Sequence, residues 1–383
     1  MNFRLTKAQK EIQKAAVEFA RGEFDKEMII EKSGIQEFPE KICRKAADLG
    51  FVGINFPEKF DGGGMGLFEY VLLAEAFCKK DSTLGMALLF SALGGECLFA
   101  FEENRATETY LPKIALGETR CSAAFFEPGM GSDLTKIETH AFIEGEDWIL
   151  NGKKAYVING ANSDIFIVLC RTGENEEGAS GMSMIAVEAQ SPGVDVKPAG
   201  MQLGARLSPF AHVTLENVRV PKANIAGKAG DGYIQALSFL AMLRVQIAGI
   251  ALGTAQGALD RAIDYIKNRE QFGKKIGLFQ VTRHKIADMT TQVDAARALT
   301  HFAALHADTH KIDEKTAATA KIFACRAAMA ITDEAVQLLG GYGYMTEYEL
   351  EHFYRDAKAL EVLGGAPGTL RDIISDQVIG RIK

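Results

Sequence analysis

Hydrophobic positions along the chain change period twice, and the two changes divide it in three. Near the amino terminus Ile12, Ala16 and Phe19 recur at three- and four-residue steps. Thr6 stands three residues before Gln9, the spacing at which a hydroxyl and an amide close a first helical turn reciprocally. The chain therefore opens with a helix, and helical texture continues to about residue 112. Residues 67–77 are apolar nearly all round apart from Glu69 and Glu75, which predicts a helix in the middle of a bundle. Between about 119 and 225 the period shortens. Trp148-Ile149-Leu150 and Ala155-Tyr156-Val157 flank Asn151-Gly152, which predicts two strands about a tight turn. Residues 165–170 are apolar throughout and predict a strand buried on both faces, while 182–187 and 213–220 add further strands, the last closed by Pro221. From about 229 to the end helical steps return: Ala248, Ala251, Ala255, Leu259, Ile263 and Ile266 share one stripe, and the alanines of 316–330 imply close helix packing. The predicted fold is mainly α with a central β domain, divided as 1–118, 119–228 and 229–383.

Length agrees with that division, because 383 residues exceed the usual size of one hydrophobic core. A net charge of −7, with no cluster of Lys and Arg longer than a pair, excludes phosphate-backbone binding as a main function. The six cysteines stand singly, without metal-ligand spacing near any histidine, which suits a reduced, cytoplasmic setting. The first residues lack a basic segment followed by an apolar one, and no run of eighteen apolar residues occurs. Neither secretion nor membrane insertion is expected.

Several short motifs could carry chemistry. Glu127-Pro128-Gly129-Met130-Gly131-Ser132-Asp133 offers two glycines and a hydroxyl, which free backbone N–H groups for a polar ligand or simply make a turn. Arg269-Glu270-Gln271-Phe272-Gly273 ends a long helix, where an arginine could clamp a pyrophosphate or stand solvated before a glycine cap. Gln337-Leu338-Leu339-Gly340-Gly341-Tyr342-Gly343-Tyr344 is glycine-rich at a helix end. Each is weak alone.

As an ordered set, with the 151–160 segment, Gly204-Ala205-Arg206-Leu207-Ser208, the 268–277 segment with Phe279-Gln280, and Arg355-Asp356-Ala357-Lys358, they resemble the acyl-CoA dehydrogenase family over almost the whole chain. The resemblance implies an α-helical amino domain, a central β-barrel or sandwich and a carboxyl four-helix bundle. It also implies FAD, a homotetramer or homodimer, an acyl-CoA or acyl-carrier thioester as substrate, and an electron-transfer flavoprotein or similar acceptor. Carried over by position, Ser132 lies near cofactor and substrate, and Arg244 and Gly365 near the acyl group. Phe126, Tyr156, Ile158, Gln280, Gln337 and Gly341 contact FAD, and Arg269 with Phe272 reaches the FAD of a neighbouring subunit.

The chain departs from the family pattern at the chemistry. A carboxylate base usually stands six residues after the Arg-Asp-Ala-Lys run, and that position is Gly364. The alternative position before Arg244 is Leu243. Two hydroxyl residues that usually bond the flavin ring are here Phe126 and Ile158, and the residues after Gly364 are Gly365, Ala366 and, beyond Pro367, Gly368. Three explanations follow: a noncatalytic binding or assembly subunit; a relocated base, for which Glu96 is the lone acid in the otherwise apolar 91–101 run; or a reaction whose proton is not on the α-carbon. Glu96 would otherwise be a salt-bridged surface residue. The N–H of Gly364 can still hold a thioester oxygen whatever its side chain.

Overall fold

The computed structural model describes residues 5–101, 103–173 and 178–380. Seven helices come first: α1 (Lys7–Glu23), α2 (Lys26–Ile35), α3 (Glu40–Asp48), α4 (Leu67–Lys80), α5 (Ser82–Phe90), α6 (Glu96–Phe99) and α7 (Arg105–Ala115). Thr6 caps α1 with the predicted reciprocal bonds, accepting from Gln9 N at 3.2 Å while Gln9 Oε1 accepts from Thr6 N at 2.9 Å. Helix α4 is buried along nearly its whole length, and Glu75 within it is neutralised by Arg297 at 2.8 Å.

Eight strands follow: β1 (Cys121–Ala124), β2 (His140–Glu144), β3 (Asp147–Val157), β4 (Ile165–Arg171), β5 (Met182–Glu188), β6 (Val194–Pro198), β7 (Ala211–Pro221) and β8 (Ile225–Ala226). They form one sheet in the order β6-β7-β3-β2-β4-β5-β8, with β1 parallel to β4. Strand β4 is buried on both faces because it belongs to two cores. Phe166, Val168 and Cys170 meet Trp148, Leu150, Ile185 and Val213 inside the β domain, while Ile165, Ile167 and Leu169 face the helices.

The turn expected at Asn151-Gly152 does not exist. Strand β3 runs straight through it, and the pairing with β7 shifts register between Leu150 and Gly152, which makes the pair a bulge. Asn151 Oδ1 accepts the Asn217 N–H at 2.8 Å, and a Cβ at Gly152 would stand 2.3 Å from Thr139 Oγ1, so glycine is required by close approach and not by a reversal. The hairpin turn is at Gly145-Glu146, between β2 and β3.

The bundle holds α8 (Gly232–Asn268), α9 (Gln280–Thr309), α10 (Glu314–Leu339), α11 (Leu350–Val362) and α12 (Pro367–Ile379), with a small pair of strands β9 (Glu270–Gln271) and β10 (Lys274–Lys275) after α8. Segments 82–99 and 232–268 are apolar and long enough to cross a bilayer, but 94% and 83% of their apolar windows are buried within the protein. One buried carboxylate fastens the three regions. Asp356 on α11 accepts from Ser82 Oγ at 2.6 Å, from Thr83 Oγ1 and from Ala205 N at 2.7 Å, so one carboxylate from the Arg-Asp-Ala-Lys run binds the helical region and the β domain together. Gly204 must lack a side chain for this docking, because a Cβ there would lie 2.3 Å from the Arg355 carbonyl oxygen.

Candidate active site

A cavity of about 420 Å³ opens where the β domain meets α8 and the α11–α12 turn. Its β-domain wall carries Phe126, Gly129, Gly131, Ser132, Tyr156 and Ile158, and its helical wall Leu93, Phe239, Leu240, Leu243, Gly364 and Gly365. The structure thus brings six of the sequence-selected residues together: Phe126, Ser132, Tyr156, Ile158, Gly364 and Gly365. Tyr156 is held at φ 52° with its ring 5.0 Å from that of His212, and it remains 66% exposed. Glu127 is the one carboxylate among the described lining residues, and it is already bound. Its Oε1 accepts from the fully buried Lys154 Nζ at 2.6 Å and from Thr139 N at 3.0 Å, and its Oε2 from Glu138 N at 2.7 Å. Burial raises the Glu127 carboxyl, but Lys154 and these hydrogen bonds outweigh it and leave the pKa low.

Gly364 occupies the turn between α11 and α12 at φ 68°, a left-handed conformation that suits glycine, and Gly365 follows at φ 111°. A Cβ at Gly364 would meet Ile247 Cδ1 at 2.8 Å, with Leu243 Cγ at 3.9 Å. Arg244 lies behind the turn, donating from Nε to the Gly364 carbonyl at 3.1 Å, and its buried Nη1 has no hydrogen-bond partner. Lys321 on α10, which no sequence signal singled out, donates to the carbonyls of Glu361 at 2.8 Å and Gly365 at 3.0 Å.

Glu96 lies outside that lining. The 89–99 stretch is broken into the end of α5, a short 3₁₀ turn over Leu93–Gly95 and α6, and of these residues only Leu93 reaches the cavity. Glu96 is 2% exposed and makes no ion pair among the described residues. Its Oε1 accepts from Asn55 Nδ2 at 2.9 Å and from Gln246 Nε2, leaving Oε2 without a partner. Burial pushes the carboxyl up to about 7, although both amides pull it back. Asn55 also lines a second cavity of about 660 Å³, walled by Phe99, Gln235, Met242, Asp308 and Lys311, and Phe239 is common to both cavities. Asn55, Gln246 and Phe239 were invisible in sequence because their roles depend on neighbours distant along the chain.

The remaining cofactor candidates form a separate group. Arg269, Gln337 and Gly341 line a surface cavity of about 490 Å³ with Tyr342, whose ring lies 5.6 Å from the Arg269 guanidinium. Phe272 is 93% exposed at φ 52°, and exposed Gln280 begins α9. No lining residue is common to this cavity and the first.

The first cavity fits a flavin. Phe126, Tyr156 and Ile158 offer apolar surface to a flat ring, Ser132 and the open Gly129 and Gly131 turns offer polar groups, and no side chain would clash at either glycine. Phe126 and Ile158 offer no hydroxyl where the family pattern has one.

Family models describing the N-terminal, middle and C-terminal domains of acyl-CoA dehydrogenases match residues 6–118, 122–218 and 230–379. The chain is 35% identical to probable acyl-CoA dehydrogenase YngJ of Bacillus subtilis, over 99% of this chain and 100% of that protein. It is 34% identical to the caffeyl-CoA reductase-Etf complex subunit CarC of Acetobacterium woodii, over 97% of this chain and 98% of that one. The solved structure of butyryl-CoA dehydrogenase from Megasphaera elsdenii superposes with a TM-score of 0.93 at 30% identity, covering 99% of this chain and all of that one.

Proposed function

We propose, since this chain belongs to the acyl-CoA dehydrogenase family, that it is an FAD-dependent oxidoreductase for an acyl thioester that is alicyclic or already unsaturated, with the proton taken far from the thioester. FAD is the cofactor of the family, and when bound it accepts a hydride at N5. The substrate would lose that hydride and one proton as a carbon–carbon double bond forms. Phe239, Leu240 and Leu243 exclude water from the acyl group, and Gly364 brings no side chain to the cavity wall. The Gly364 N–H holds the thioester oxygen.

The observation that carries this reading is the placement of carboxyl groups. Glu127 is spent on Lys154, Gly364 has none, and the buried carboxyl with a free oxygen and a pKa of about 7 is Glu96. Glu96 stands three residues after Leu93 and its partner Gln246 three residues after Leu243, so each follows a cavity-lining residue along the chain. A base there suits proton removal at a distal carbon, and Asn55 and Gln246 on one carboxyl oxygen keep the other directed. We also propose an electron-transfer flavoprotein or similar acceptor, and a homotetramer or homodimer formed through the apolar surface of Phe272, Leu278 and Tyr344.

A second reading, a noncatalytic acyl-CoA-binding or assembly subunit, is favoured by the exclusion of Glu96 from the cavity lining. One experiment separates the two. The purified protein is reconstituted with FAD, and Glu96→Gln is compared with wild type in anaerobic flavin reduction by a panel of unsaturated and alicyclic acyl-CoAs. Loss of reduction with FAD retained supports the relocated base; undiminished reduction removes Glu96 from the mechanism; failure to bind FAD supports the noncatalytic reading.

A further inference from the structure

Three buried polar atoms have no hydrogen-bond partner among the described residues and belong to one neighbourhood: Glu96 Oε2 on α6, Gln246 Oε1 on α8 and the Tyr70 hydroxyl on α4. All three residues are at most 4% exposed, so open solvent does not reach them. Packing brings them together. Gln246 Nε2 donates to the other Glu96 oxygen, which holds its own amide oxygen beside the carboxyl. One helical turn farther along α8, a Cβ at Gly249 would stand 3.4 Å from Val71 Cα, so α8 touches α4 backbone to backbone at the residue after Tyr70. The Tyr70 hydroxyl also senses the charge on Glu96. Burial first and that carboxylate next push it well above its ordinary value, so it remains a donor. The other titratable neighbours are buried thiols, Cys97 beside Glu96 with Cys121 near it, and Cys78 near Tyr70; burial pushes each up, and they stay neutral.

Donors and acceptors in this group do not balance. Gln246 Oε1 and an ionised Glu96 Oε2 can only accept, whereas Tyr70 brings a single O–H. A buried water, which typically makes about three hydrogen bonds to otherwise unpaired groups, supplies what is missing. We propose that Tyr70 and Gln246 hold a buried water against Glu96 Oε2, which makes Tyr70 a positioning residue for that oxygen. The water donates to Gln246 Oε1 and Glu96 Oε2 and accepts from Tyr70. When Glu96 is protonated, the same water accepts from its O–H and from Tyr70 and still donates to Gln246, so one molecule serves both forms. The inference rests on the relocated-base reading for its catalytic meaning: a fixed water aims the free oxygen and lets it gain or lose a proton without leaving a buried group unpaired.

The test is infrared difference spectroscopy of the FAD-loaded protein titrated across neutral pH, in ordinary water and in H₂¹⁸O. The Glu96 carboxylic C=O band is the one that Glu96→Gln abolishes. In wild type a water O–H band that moves in H₂¹⁸O changes together with it. Tyr70→Phe, which keeps the ring, loses that water band and raises the C=O frequency. It also moves the titration midpoint up by about one pH unit, a tenfold change in the ionisation constant, because the charged form loses a donor. A C=O band and midpoint unchanged in Tyr70→Phe overturn the proposal. A band that shifts without an ¹⁸O-sensitive partner overturns it too, since hydroxyl and carboxyl would then touch directly. If Tyr70→Phe does not fold, a wild-type titration lacking the ¹⁸O-sensitive band overturns it equally. The spectra need no turnover, so undiminished flavin reduction by Glu96→Gln would remove the base reading while the water band still decides this inference.

Discussion

Placing a carboxylate at position 364 tests whether its absence sets the choice of substrate. Gly364→Glu adds a side chain to a residue at φ 68°, which costs about 1–2 kcal/mol for an L-residue. The new Cβ would stand 2.8 Å from Ile247 Cδ1, the mobile end of a side chain, and moving it costs a further ~1–3 kcal/mol. The total of about 2–5 kcal/mol is a large fraction of ordinary stability. The companion change Ile247→Val removes the contacting methyl and recovers the steric part. The assay runs in two stages: urea unfolding and flavin absorbance establish that Gly364→Glu/Ile247→Val is folded and yellow, and stopped-flow absorbance then follows flavin bleaching by butyryl-CoA. The double variant should bleach at least about tenfold faster than wild type, a barrier change of ~1.4 kcal/mol. It should also react more slowly with bulky unsaturated thioesters, since the new side chain adds bulk at the cavity wall. A folded, yellow double variant with wild-type bleaching would refute the idea that Gly364 is what excludes ordinary saturated substrates.

Glu96 gives a stability test that needs no substrate. Its native pKa of about 7 exceeds the ordinary 4.5, so between those values the folded protein holds a proton that the unfolded chain has lost. Stability therefore falls as pH rises from about 4.5 to 7 and levels off above, by about 3 kcal/mol at 1.36 kcal/mol per pH unit. Glu96→Gln should flatten that part of the urea-unfolding profile, and an unchanged slope would mean the carboxyl is not buried as described. Ile158→Thr, which adds a hydroxyl to the cavity wall, should raise the flavin midpoint potential by about 20 mV, the equivalent of ~1 kcal/mol for two electrons. Spectroelectrochemistry reads this, and no change would place Ile158 away from the ring.

Local patterns were legible where local physics decides them. The Thr6–Gln9 cap, the core character of α4 and the double burial of β4 follow from spacing alone, and each is found in the structure. Asn151-Gly152 misled because the same dipeptide serves a reversal or a bulge, and the choice was made by Thr139 and Asn217 on neighbouring strands. The motifs that carried the family resemblance have uneven roles. Ser132 and Gly364 reach the cavity, but Asp356 and Gly204 hold the regions together and line none of the cavities described above. Lys321 was hidden among the alanines of α10, since its target is a carbonyl 44 residues later. Glu96 stood out as a lone acid, yet its burial and its amide partners required Asn55 and Gln246 to be placed beside it.

The most direct measurement is an anaerobic titration of the FAD-loaded protein with linear saturated, branched, unsaturated and alicyclic acyl-CoAs, followed by flavin absorbance. The predicted result is an oxidised spectrum with butyryl- and octanoyl-CoA and full bleaching by at least one unsaturated or alicyclic thioester. Rapid bleaching by butyryl-CoA would contradict it.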